Sequence, residues 1–175
     1  MIFGKTKLLH RNESGFTLIE IMVSLAISGL ICLGATMSSA QVLNVTSRNN
    51  NYTAASRNAM NAVYWIGRDA QMAQAISGVA GFPGTSALSL SWLEWDNSSH
   101  NVTYSLQNGR LLRTYVVDGQ STGTLAAEYI NANANMTYCT SGNGTLILTI
   151  TSSVGQGSKV VNVTETRKMT CRPKL

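Results

Sequence analysis

The chain has 175 residues, 44% of them hydrophobic and only 12% charged, with a formal net charge of +5. That length accommodates one membrane segment and one domain of about 135 residues, and leaves no room for a second globular domain. Residues 1–15 carry Lys5, Lys7 and Arg11 against Glu13 and so hold +2 of the total; the +3 on the rest is too mild to argue for nucleic acid, which stays a partner class without support.

Behind this basic stretch runs an apolar segment over residues 16–36. As a helix it reaches about 31 Å, the thickness of a bilayer's hydrocarbon core. Three basic residues precede it and the first to follow is Arg48, so the N-terminal side is expected in the cytoplasm. A secretory signal peptide loses its apolar region at the cut; here a cut between Gly15 and Phe16 would come before that region and keep it. The segment contains one carboxylate, Glu20, which is costly in lipid and asks for a partner. Cleavage would create an α-ammonium on Phe16, itself expensive to bury alone. Four residues apart, Phe16 and Glu20 share a helix face, so the opposite charges can meet within one chain or between neighbours. Such a pair sets register more effectively than it adds stability. The plainer alternative is a simple anchor whose Glu20 sits at the cytoplasmic interface.

Gly15-Phe16-Thr17-Leu18-Ile19-Glu20, with its basic leader and uninterrupted apolar helix, resembles the signature of type IV pilins and pseudopilins. The resemblance implies cleavage between Gly15 and Phe16 by a prepilin peptidase and N-methylation of Phe16. It also implies that Glu20 pairs with Phe16 of a neighbouring subunit while the helix moves from lipid into a filament core. The implied partners are the peptidase, other pilin subunits, an inner-membrane assembly platform and, before assembly, membrane lipid. The implied location is the inner membrane, single-pass, with the rest exported to the periplasm or cell exterior.

Apolar or small residues continue at helical spacing over residues 41–77, among them Val42, Val45, Tyr52, Ala55, Ala59, Ala62, Val63, Ile66, Ala70, Ala73 and Ile76. This stripe predicts a core-facing helix that stops at Ser77-Gly78. No proline interrupts the helix from Phe16 to Ser77, and Gly29 and Gly34 are its weak points. Residues 57–73 loosely resemble the exported helix of J-type minor pseudopilins of type II secretion and of W-type minor pilins. Asp69 reads as a structural carboxylate, or as an exposed one paired with Arg68 or a residue one turn away.

Strand-like segments follow. Residues 87–95 alternate with a phase shift after Trp92 that predicts a bulge. Residues 101–106 and 110–117 flank Asn108-Gly109, a strong hairpin signal, and Asp118-Gly119 ends that unit. After a loop-rich stretch reaching Asn143-Gly144, residues 145–151 and 159–165 predict a second hairpin. The expected fold is α+β and pilin-like: a long N-terminal helix, transmembrane in its first half, on an antiparallel sheet of about four to six strands. The expected division is a leader over 1–15, a membrane and filament-core helix over 16–37, its exported half over 38–78 and a β-rich region over 79–175.

Cys32 falls in the apolar run and reads as a small apolar residue. Cys139 and Cys171 fall in the exported part, where oxidation is permitted, and have no metal-spaced neighbours. A disulfide between them is expected, closing a loop of about 33 residues and contributing about 3 to 4 kcal/mol. It would fasten the C-terminal segment, as a C-terminal disulfide does in many pilins. With His10 in the leader and only His100 elsewhere, no catalytic constellation, cofactor or metal site is expected. Trp92, Trp95 and Tyr115 with Arg110 and Arg113 suggest either core aromatics, the preferred reading, or a patch for a partner or single-stranded DNA. The function expected is a minor pilin or pseudopilin of a type IV pilus, type II secretion or competence system. The alternative is a binding module, adhesin or DNA-uptake receptor, displayed at a filament tip.

Overall fold

The computed structural model describes residues 15–173; of the leader expected over 1–15, residues 1–14 lie outside them. The chain divides into two compact units at Val45/Thr46. One helix, α1 (Leu18–Met72), begins in the first unit and ends in the second. Eight strands follow: β1 (Ala75–Ser77), β2 (Leu88–Leu93), β3 (Ser99–Gln107), β4 (Arg110–Val117), β5 (Gln120–Ala127), β6 (Tyr138–Gly142), β7 (Thr145–Val154) and β8 (Val161–Thr170).

In the first unit every described residue is exposed, including Phe16, Leu18, Leu25, Leu30 and Leu33. Its polar side chains turn back onto the helix: the hydroxyls of Ser24, Thr36 and Ser39 donate to the carbonyls of Glu20, Cys32 and Ala35. A helix satisfied in this way presents few unpaired polar groups to an apolar solvent.

In the second unit α1 turns a face of small residues to the core. Ala55, Ala59, Ala62, Ile66, Ala70 and Ala73 are fully buried. Small side chains let the helix lie close to the strands: a Cβ at Gly67 would stand 3.1 Å from the Met169 sulfur of β8. The helix ends at Met72, earlier than the expected Ser77. Gln74 N–H donates to Ser91 O, and Ile76 pairs in register with Leu90, so the last turn of the apolar stripe becomes β1. Ile76 suits either structure, and the open edge of β2 decides for the strand.

The strands form two antiparallel sheets, β1-β2-β3-β4-β5 and β6-β7-β8, rather than the single sheet of four to six strands expected. Leu88, Leu90, Val102, Tyr104 and Leu111 from the first sheet join Leu146, Leu148, Ile150 and Met169 from the second in one core with α1. The α+β architecture of a long helix packed on antiparallel sheet is therefore present. Residues 129 and 130 tie the sheets together: Ile130 N–H donates to Gly109 O, and Tyr129 O accepts from Ser153 N–H. Behind β7, the segment over 131–137 covers Thr151, whose hydroxyl donates to Met136 O.

Three tight hairpins share one chemistry. Asn108-Gly109, Asp118-Gly119 and Asn143-Gly144 all have positive φ at both residues, the requirement of a turn whose twist matches the flanking strands. The first was expected as a hairpin. The second and third are hairpins as well, which adds β5 and β6 to the expected strands. The bulge expected after Trp92 is absent: β2 ends at Leu93 and the chain turns, while a register shift occurs instead at Leu111/Leu112 against β5.

Candidate assembly site

The start of α1 is built by Thr17 and Glu20. Thr17 stands just before the first helical residue, and its hydroxyl oxygen accepts from Glu20 N–H at 3.4 Å. Glu20 Oε2 reaches back and accepts from Thr17 N–H and from Thr17 Oγ1, both at 2.8 Å. This is a capping box, in which the first and fourth residues satisfy each other's otherwise unpaired amides. Glu20 at the positive end of the helix macrodipole is favoured as well. Thr-x-x-Glu before an apolar run is a signal readable from sequence, and it gives Glu20 a second role beside the charge pair expected from it. Glu20 Oε1 accepts no hydrogen bond among the described residues.

Gly15 and Phe16 precede the helix in non-helical backbone. Among the described residues nothing lies within 4 Å of a Cβ placed on Gly15, and Phe16 is 84% exposed, so no described side chain covers the junction. Beyond it, an 18-residue window of α1 has mean hydropathy 2.2 with none of its residues buried, so this helix is long and apolar enough to cross a membrane.

A second constellation joins α1 to the first sheet. Asp69 is fully buried and receives the Arg113 fork, Nε to Oδ2 at 2.6 Å and Nη2 to Oδ1 at 3.0 Å, together with the Tyr104 hydroxyl at 2.5 Å. Burial, then the hydrogen bond to Asp69, pushes the Tyr104 phenol well above its ordinary range. Burial alone would lower the Arg113 pKa, but the hydrogen bonds and charge of Asp69 outweigh it and the net direction is up. Arg68, half exposed, approaches Asp69 only to 3.7 Å. The main partner of Asp69 is thus 44 residues away on β4, not one turn away on the helix. The available clue was Arg113 itself, two residues after inward-facing Leu111 and so at an inward position of its strand.

The candidate aromatic patch is divided by the fold. Trp92 and Arg113 are buried, and Trp92, His100 and Tyr115 stack with centroids 5.2 to 6.3 Å apart. Arg113 lies over the rings of Trp65 and Tyr115. Arg110 pairs with Glu128 at 3.3 Å. Of the three aromatics in the candidate patch, Trp95 alone is fully outside, 92% exposed.

The expected Cys139–Cys171 disulfide is not formed: both are free thiols. Cys139 of β6 is opposite Leu148 of β7, whereas Cys171 N–H donates to Gly144 O at the far end of that strand and on its other side. Two strand spacings and four residues separate them, well beyond the roughly 7 Å limit between bridgeable Cα atoms. Burial pushes the Cys139 thiol up to about 11 and raises Cys171 as well.

A family model described as the prokaryotic N-terminal methylation motif matches residues 10–36. No curated protein and no solved structure matches the chain. The matched stretch spans the Gly15–Phe16 junction, the Thr17/Glu20 cap and the apolar part of α1, and it supports a type IV pilin-like family, structural rather than enzymatic, whose processing by prepilin peptidase and assembly with other pilins the motif implies.

Proposed function

We propose that this protein is a minor pilin or pseudopilin, cut between Gly15 and Phe16, N-methylated on Phe16 and assembled through α1 into, or at the start or tip of, a type IV pilus or a type II secretion pseudopilus. The observation that carries the reading is the bare apolar half of α1, which begins at a carboxylate-capped turn directly after an open Gly15–Phe16 junction. Its surface needs an apolar surrounding, and lipid before assembly followed by neighbouring helices after it supplies one at both stages. An inner-membrane platform would hand the subunit from the first to the second, with the N-terminus inside and the β-rich region exported.

In this reading Glu20 does two things at once. Oε2 starts its own helix, and Oε1 is left to meet the Phe16 α-ammonium of a neighbour, setting the axial step. Expression beside an active prepilin peptidase should yield a chain beginning with methylated Phe16 by mass spectrometry; a chain still beginning at Met1 removes the proposal. Glu20→Gln separates the two roles, since glutamine serves the capping box equally well but carries no charge. Its incorporation into filaments should fall at least about tenfold, the scale of one lost charge-assisted contact. Normal incorporation would discard the charge pair while leaving processing intact. A tip-displayed binding module is compatible with the same processing, and the exposure of Trp95 is the observation that favours it.

A further inference from the structure

The turn joining β2 to β3 carries the indole of Trp95 on its outside, beside a cleft of about 640 Å³ lined by Gln74, Leu93, Glu94, Asn97 and Ser99 among others. Volumes of this order are typical of small-ligand sites. We infer that this cleft binds a neutral saccharide, with a pyranose ring stacked on Trp95 and its hydroxyls held by the amides and carboxylate around it.

The turn is held rigid. Glu94 N–H donates to Ser98 O and Asn97 N–H to Glu94 O, both at 3.1 Å, and Asn97 takes a left-handed φ of 63°. Asp96 Oδ1 accepts from Ser98 N–H and Oγ–H at 3.0 and 2.7 Å. A turn whose backbone is already fixed presents its indole with little loop freedom left to lose on binding.

The polar groups beside it are half engaged and half free. Gln74 Oε1 accepts from Leu93 N–H at 3.1 Å, which fixes the amide, while its nitrogen donates to no group among the described residues. Glu94 Oε1 accepts from Trp92 Nε1–H at 3.2 Å, and Oε2 has no hydrogen bond among the described residues. Two cleft-lining residues thus keep one donor and one acceptor unengaged, matching the paired donor and acceptor character of a sugar hydroxyl.

Charge selects the class. Among the described residues no lysine or arginine lines the cleft, and Glu94 and Asp96 flank the indole, which disfavours a phosphodiester chain. Trp95 is the single strongly exposed aromatic there, short of the several rings that enclose a quaternary ammonium. A neutral polyol with an apolar ring face fits both limits.

The inference stands apart from the assembly reading, because the site is in the β-rich part and binding can be measured on protein that never enters a filament. Full-length protein in lipid nanodiscs, free of glycoside detergents, is titrated with cellohexaose, chitohexaose and maltohexaose, following tryptophan fluorescence and saturation transfer. At least one should bind with little dependence on salt, and Trp95→Ala should weaken it about tenfold or more, the cost of losing a central aromatic anchor. Trp95→Phe should retain part of the affinity. Absence of binding by all three up to about 5 mM, or unchanged affinity in Trp95→Ala, overturns the proposal. Binding of choline or of a single-stranded oligonucleotide at this turn in place of the sugars overturns it too.

Discussion

The two halves of α1 use apolar residues in opposite ways. From Leu18 to Val45 the helix carries leucine, isoleucine and methionine all round and none is covered by its own chain, whereas between Ala55 and Ala73 the inward face is mainly alanine and completely buried. Bulk on all sides is the pattern of a helix whose surroundings are apolar in every direction. Small residues on one face are the pattern of a helix brought close to strands that provide the bulk themselves, here Leu88, Leu90, Leu146 and Leu148. Composition therefore reports whether this chain covers the helix itself: its own sheets bury the second half and leave the first bare.

The sharpest way to break the second half is through its buried charge. Asp69→Ala leaves Arg113 buried without its carboxylate and should cost about 3 to 5 kcal/mol, read from urea denaturation of the β-rich part. Replacing Asp69 and Arg113 together by leucine and methionine should recover part of that loss, because no lone charge then remains although the buried Tyr104 hydroxyl loses its acceptor. A double variant as unstable as Asp69→Ala would show that the pair is needed for more than its own neutralisation.

The comparison is tested directly by equal truncations on either side of it. Ile66→Ala should lower the stability of the β-rich part by about 2 to 5 kcal/mol through cavity formation, while Ile31→Ala should leave it unchanged within about 0.5 kcal/mol. Equal effects from both would mean that the bare half is covered by its own chain after all.

The smallest effect expected is chemical. At pH 8 the thiol of Cys139, with its pKa near 11, stays protonated and buried, so iodoacetamide should label the half-buried Cys171 before Cys139. Mass spectrometry under non-reducing conditions should show the two unlinked. Recovery of a Cys139–Cys171 disulfide from exported protein would require the end of β8 to shift along β7.

Where local chemistry suffices, the sequence was readable. The helix and its apolar period, the Asn108-Gly109 hairpin and the last two strands follow from spacing and turn residues. β5 escaped because Gln120-Ser-Thr-Gly-Thr shows no apolar alternation; it is an edge strand whose first half faces solvent. The capping box at Thr17 and Glu20 is legible too, as Thr-x-x-Glu ahead of an apolar run. The partners of Asp69 were not legible, since nothing within a few residues of position 69 points to positions 104 and 113.

By itself, then, the chain's order of residues determines the Gly15–Phe16 motif, the apolar helix behind it and the turns, because each depends on contacts within a few residues. Tertiary structure alone decided that α1 yields its last turn to β1, that the strands part into two sheets, that Asp69 meets Arg113, and that of three clustered aromatics only Trp95 faces outward. Each of these turns on a choice between distant partners, and that choice is made by packing and by the cost of leaving a buried polar group unpaired.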